Sequence, residues 1–319
     1  MADTVSEQIA ALSDEDWAIR EEAATLLGSL NDARAVLPLT KLLRDTDRAV
    51  REAAIGSLSA LGSASVPALA GCLADPALQV QEAASAILAS IADARVFRPL
   101  VEALGSRDWI VRMHAAKGLG RIGDPEAVSV LMPLLQDKVK AVREEASSAL
   151  AAIGAAAVLG LIQALEHDDW LVRLHAVEAL GKLKSPDSVD PLLRALFNER
   201  DSAIREDVVR ALGAIRDARA VDYLVTVMKE PGLRLLAVEA LGALPQRIEA
   251  RSLAAQLDVG AGEVAAHGTQ LAAHFRSSAG SRGAVGDAVD GCQGLAPLIP
   301  EGSFLGGQLL GLRAHREQV

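Results

Sequence analysis

Aromatic residues are scarce in this chain. They make up 3% of its 319 residues, although 50% of the chain is hydrophobic. A core organised around large rings is therefore excluded, and Ala, Leu, Val and Ile must fill it. Such a core suits closely packed helices, and Ala and Leu are strong helix formers. Cysteine is nearly absent. Cys72 and Cys292 stand far apart, which excludes a disulfide framework or a cysteine metal knuckle. No run of about 18 uninterrupted apolar residues occurs, so no membrane span is expected. The opening segment, MADTVSEQIAALSDED, has no basic region followed by an apolar run and does not read as a signal peptide, so a cytoplasmic location is the expectation. Base is outnumbered by acid, 32 Lys and Arg against 42 Asp and Glu, for a formal net charge of -10. Nucleic acid is not the expected partner, because phosphate binding needs a basic footprint.

What is present in abundance is one phrase: an apolar residue, Arg, two variable residues, two small residues, a variable residue, then Ala-Leu-Gly or a close relative. It occurs as IREEAATLLGSL from Ile19, VREAAIGSLSAL from Val50, VQEAASAILASI from Val80 and VRMHAAKGLGRI from Val111. It returns as VREEASSALAAI from Val142, VRLHAVEALGKL from Val172, IREDVVRALGAI from Ile204 and LRLLAVEALGAL from Leu233. The anchoring residues are Arg20, Arg51, Gln81, Arg112, Arg143, Arg173, Arg205 and Arg234, with successive spacings of 31, 30, 31, 31, 30, 32 and 29. In the fourth copy Val111, Ala115, Leu119 and Ile122 form one helical stripe. A break such as GDPE from Gly123 or SPDS from Ser185 follows, then a second helix. A single hairpin cannot bury its stripe alone. Stacked hairpins can, so the pattern predicts an all-α fold, an α-α superhelix or solenoid of about eight two-helix repeats over residues 1–244.

Asp16, Asp47, Asp108, Asp169 and Asp201 each precede the anchoring arginine by four residues. An aspartate there caps the new helix and can pair with the arginine one turn on. The arginine column itself is expected to form a structural Asp–Arg ladder between stacked repeats rather than an anion site.

The stretch DWIVRMHAAKGLGRIGDPEAVSVLMPLL, Asp108 to Leu135, resembles the HEAT-like repeat of the phycobilisome-lyase type almost position for position. The resemblance extends over roughly Asp14 to Leu244. It implies that the arginine-bearing helices line the concave side of the solenoid and the others its convex side. Repeats of this type occur in scaffolds, in chromophore-attaching lyase subunits and in iron-dependent hydroxylases.

Stacking equivalent positions exposes columns. The slot three before the arginine holds Trp17, Arg48, Trp109 and Trp170, so all three tryptophans of the chain share one position. The slot after the arginine is acidic in most copies but reads Met113, Leu174 and Leu235 in the fourth, sixth and eighth. The next slot carries His114, Glu145, His175 and Asp207 in succession, and Lys117, Glu178, Arg121 and Lys182 project further along the same face. An apolar and aromatic patch rimmed by charge is the composition of a protein-binding surface. The residues expected to contact a partner are therefore Trp17, Trp109, Met113, His114, Lys117, Arg121, Glu145, Trp170, Leu174, His175, Glu178 and Asp207. The expected function is a binding scaffold that holds another protein on its concave face, without cofactor, catalytic residue or metal.

Two enzyme alternatives follow from the resemblance. A lyase-like subunit would use Lys117, Arg121 or Lys182 for the propionates of a linear tetrapyrrole. A deoxyhypusine-hydroxylase-like protein would hold non-haem iron with His-Glu pairs, but here Ala115 and Ala176 directly follow His114 and His175. Neighbouring helices about 10 Å apart would also separate those histidines by about 20 Å.

The repeat stops at Pro245. The remainder holds 12 of the 26 glycines and no lysine. Residues 245–276 are expected to hold up to two capping helices, and residues 277–319 read as a flexible Gly-rich tail.

Overall fold

The computed structural model describes residues 3–244 apart from Ala92. One compact unit ends at Leu244, and the capping helices and Gly-rich tail expected after it lie outside the described residues. The described unit is built from sixteen α-helices. These are α1 (Thr4–Ala11), α2 (Trp17–Leu30), α3 (Val36–Leu42), α4 (Arg48–Ala60), α5 (Val66–Cys72), α6 (Leu78–Ser90), α7 (Phe97–Ala103) and α8 (Trp109–Ile122). There follow α9 (Ala127–Leu131), α10 (Lys140–Ile153), α11 (Ala155–Ala164), α12 (Trp170–Leu183), α13 (Val189–Asn198), α14 (Ser202–Ile215), α15 (Val221–Val227) and α16 (Arg234–Ala243). The even-numbered helices carry the repeated phrase and pack side by side in one layer. The odd-numbered helices are mostly shorter and form the second layer.

The phrase dictates this arrangement residue by residue. Its leucine is Leu27, Leu58, Leu88, Leu119, Leu150, Leu180, Leu212 and Leu241 in the eight copies, and each is 0% exposed. Burying one leucine stabilises by roughly 1.5–3 kcal/mol, so this column alone is a large share of the driving force. The small residues flanking it set how closely the helices approach. Gly120 of α8 sits against Ala149 of α10, where an added Cβ would lie 2.7 Å from the Ala149 Cα. Gly28 meets Ser57, Gly118 meets Ala89, Gly181 meets Ala211 and Gly213 meets Ala240 in the same register. The Ala-Leu-Gly motif is thus a buried leucine between two close-approach points.

The helix starts follow from the aspartates. Asp16, Asp47, Asp108, Asp169 and Asp201 each accept a hydrogen bond at 2.8–2.9 Å from the backbone N–H two residues on. Such a cap is worth about 1 kcal/mol. The expected pairing of these aspartates with the arginine one turn on does not occur. Their carboxylates turn into the helix end to cap it, while the guanidinium reaches across the seam to the next turn. Arg20 grips Asp45, Arg112 grips Asp137 and Arg173 grips Glu199, with Nε–oxygen distances of 2.7–2.8 Å. Arg205 reaches Glu230 through its terminal nitrogens. The same arginines donate to carbonyls of their own turn, as Arg112 does to Ser106 and Arg107. The ladder therefore ties the starts of α2, α8, α12 and α14 to the following turn, 25 or 26 residues ahead.

Candidate functional site

The aspartate cap places the first helical residue where it projects from the helix start. Trp17, Trp109 and Trp170 occupy that position and are 49%, 39% and 48% exposed, an unusual state for the largest apolar side chain. On α8, Met113, Lys117 and Arg121 follow at four-residue steps, so Trp109 heads one stripe along the outward face. On α12 the equivalent stripe is Trp170, Leu174, Glu178 and Lys182. Met113 and Leu174 are half-buried, whereas Lys117, Arg121 and Lys182 are exposed. Between the two stripes runs α10, with Lys140 and Glu144 paired at 3.3 Å. Among the described residues, Lys117 and Arg121 take part in no ion pair. The two stripes thus lie on helices separated by α10 alone, and Trp17 lies further off, beyond α4 and α6.

The histidines do not share one environment. His114 is half-buried, with Nδ1 3.1 Å from Ser85 Oγ on α6. Burial pushes its pKa below 6.5, and the charge of Lys117 acts in the same direction. His175 is only 4% exposed, so it is not a contact residue of the outward face, contrary to the expectation. Its Nε2 accepts from Arg143 Nε at 3.1 Å and its Nδ1 lies 3.0 Å from Glu178 Oε2. These partners assign the ring proton to Nδ1. Glu178 also accepts from Lys182, which in turn donates to Ser148. Hydrogen bonding from His175, then from Lys182, pulls the Glu178 pKa from 4.5 to about 2. Glu145 and Asp207 are half-buried, and Asp207 is held by Arg210.

Sequence columns missed Arg143 and Ser148 as members of this network. Among the described residues Arg143 grips no carboxylate, because the ladder position of the next turn is His167, whose Nδ1 accepts the Asp169 backbone N–H. That histidine in an otherwise mostly acidic turn position is the signal that would have found it.

Among the described residues, no three His, Cys, Asp or Glu side chains gather as metal ligands. His114 faces the α6 seam and His175 the α10 seam, so the run of His and acid along the column is not a cluster. Among the same residues no helix is long and apolar enough to cross a membrane.

The model for HEAT repeats matches residues 5–89, 73–151 and 158–244, and that for the PBS lyase HEAT-like repeat matches residues 142–167. A phycocyanobilin lyase subunit alpha of Nostoc sp. is 30% identical over 245 residues, spanning 73% of this chain and 82% of the relative. Its counterpart from Picosynechococcus sp. is 27% identical over 75% of this chain and 86% of the relative. Deoxyhypusine hydroxylase-B of Oryza sativa subsp. japonica is 29% identical over 69% and 74%. A chain in the solved structure of Kap95p with RanGDP shares the fold, with a TM-score of 0.57, 13% identity, and coverage of 92% of this chain and 51% of that one.

Proposed function

Since the chain belongs to the HEAT-repeat family, we propose that it is a binding scaffold that holds a partner protein against the even-numbered helices. The observation that carries this reading is the placement of Trp109 and Trp170. Each is exposed, heads an equivalent helix, and is followed one turn on by an apolar side chain where five of the eight repeats carry glutamate. Rigid aromatic anchors beside apolar side chains, rimmed by Lys117, Arg121 and Lys182, have the composition of an interface hot spot. The close approach of Gly120 to Ala149 and of Gly213 to Ala240 supports a curvature that puts this layer on the concave side, because the more tightly spaced layer of a solenoid is its inner one.

The test is partner capture by the full chain and by a Trp109→Ala, Trp170→Ala variant. Capture is expected to fall at least tenfold at unchanged helix content. Capture that survives the double change would move the site elsewhere.

A second reading is favoured by the phycocyanobilin lyase subunits that align along most of the solenoid. In it the held protein is one that receives or loses a bilin, and Lys117 and Arg121 supply charge to the propionates. Added phycocyanobilin should then acquire an altered absorption band with the wild-type chain and not with a Lys117→Ala, Arg121→Ala variant. An unchanged spectrum with the wild type would remove the bilin from the scheme while leaving the scaffold reading intact.

A further inference from the structure

Two notches lie at equivalent places on the turn edge of the solenoid, and neither is lined by a tryptophan. In the α12–α14 seam the Arg173–Glu199 rung forms part of the wall, and the cavity measures about 410 Å³. In the α6–α8 seam the cavity measures about 650 Å³. Leu73 and Leu165 are equivalent lining residues, as are Ala103 and Ala195, so the two differ chiefly in their polar groups. The rung is missing from the larger notch at both ends. Gln81 stands where the arginine would be and Ser106 where the acid would be, 25 residues ahead, the spacing at which Arg20–Asp45 and Arg112–Asp137 close.

The charges differ in the direction that a missing guanidinium leaves behind. Arg194 lines the closed notch at the position where Glu102 lines the open one. Glu102 and Asp108 both line the open notch, with Arg107 the one cation among its lining residues, and Glu102 takes part in no ion pair among the described residues. Gln81 uses its amide on the Asp75 carbonyl. The Pro76 carbonyl is left over, at the position whose counterpart, Arg107, receives the guanidinium of Arg112. Leu73, Pro76 and Leu78 supply an apolar wall for an aliphatic stem.

We propose that the α6–α8 notch is a receptor for an arginine side chain of a partner protein, which supplies in trans the rung that this seam lacks among the described residues. A guanidinium fits better than an ammonium because a planar fork can reach the carbonyl and a carboxylate together. The proposal does not depend on the tryptophan patch.

The probe is N-acetyl-arginine amide, followed by amide chemical shifts of the full chain, with N-acetyl-lysine amide as the comparison. Saturable shifts are expected at Gln81, Ser106 and Asp108, at least fivefold weaker affinity for the lysine probe, and a similar loss in Glu102→Gln. A Gln81→Arg, Ser106→Asp variant, which rebuilds the internal rung, should melt at higher temperature and no longer respond. Shifts that do not saturate, equal response to lysine, or an unchanged response in Glu102→Gln would each overturn the proposal.

Discussion

Arg143 spends its guanidinium on His175, donating from Nε to the ring Nε2 at 3.1 Å, where Arg112 one repeat earlier grips the carboxylate of Asp137. The ring passes the polarity on to Glu178, and Lys182 and Ser148 complete the chain. A buried imidazole here does the bridging that a carboxylate does elsewhere. Removing it as His175→Phe leaves Arg143 and Glu178 each short of a partner and is expected to cost about 2 kcal/mol. Adding Arg143→Met should restore part of that loss, and a double-mutant cycle by urea unfolding measures the coupling.

The ladder rungs differ in exposure, and their worth should differ accordingly. Arg112 and Asp137 have side chains 8% and 11% exposed. Arg112→Ala strands the acid and is expected to cost roughly 3 kcal/mol. The Arg48–Glu52 pair is 83% and 59% exposed, and Arg48→Ala should leave the urea midpoint close to that of wild type. Equal effects in urea titration would contradict the ladder as a structural device.

Two helix-interior glycines should respond to alanine with opposite sign. An added Cβ at Gly56 meets nothing within 4 Å, so Gly56→Ala should stabilise by about 0.5–1 kcal/mol through backbone entropy. At Gly120 the same methyl would lie 2.7 Å from a backbone atom of α10. Gly120→Ala should therefore destabilise by roughly 1–3 kcal/mol despite the better helix propensity. Thermal melts of the two variants decide it.

Acid should weaken the fold in two stages. Burial holds the folded pKa of His114 below 6.5, so its neutral form is favoured by folding, and that contribution fades as pH falls below about 6.5. Glu178 is depressed from 4.5 to about 2, so its contribution is complete above about 4.5 and is lost as pH falls toward 2. Melting temperature against pH should lose the first stage in His114→Gln and part of the second in Glu178→Gln.

The fold was legible because the phrase recurs in register. Leucine position, helix start and aspartate cap are all local consequences of it. The arginine partners were not, since Asp45, Asp137 and Glu199 belong to the following turn and only stacking brings them near. His175 was misread for the same reason. Its column gave it the exposure of His114, but His167 stands where an acid would take Arg143, and the guanidinium holds the buried His175 ring instead. Trp109 and Trp170 were legible as a pair because a first-turn slot has no core to fill. The widened α6–α8 notch was not, because it consists of what Gln81 and Ser106 fail to do.

The glycine contacts recur with one register at five seams, from Gly28–Ser57 to Gly213–Ala240. Each seam is thus an interchangeable joint, and a unit cut at two successive caps and removed would leave its neighbours able to meet in the same way. Length becomes a quantity that evolution can change in whole steps without reinventing a core. The interval between Trp109 and Trp170 is two units long, and splicing one unit in or out would change it by a whole repeat.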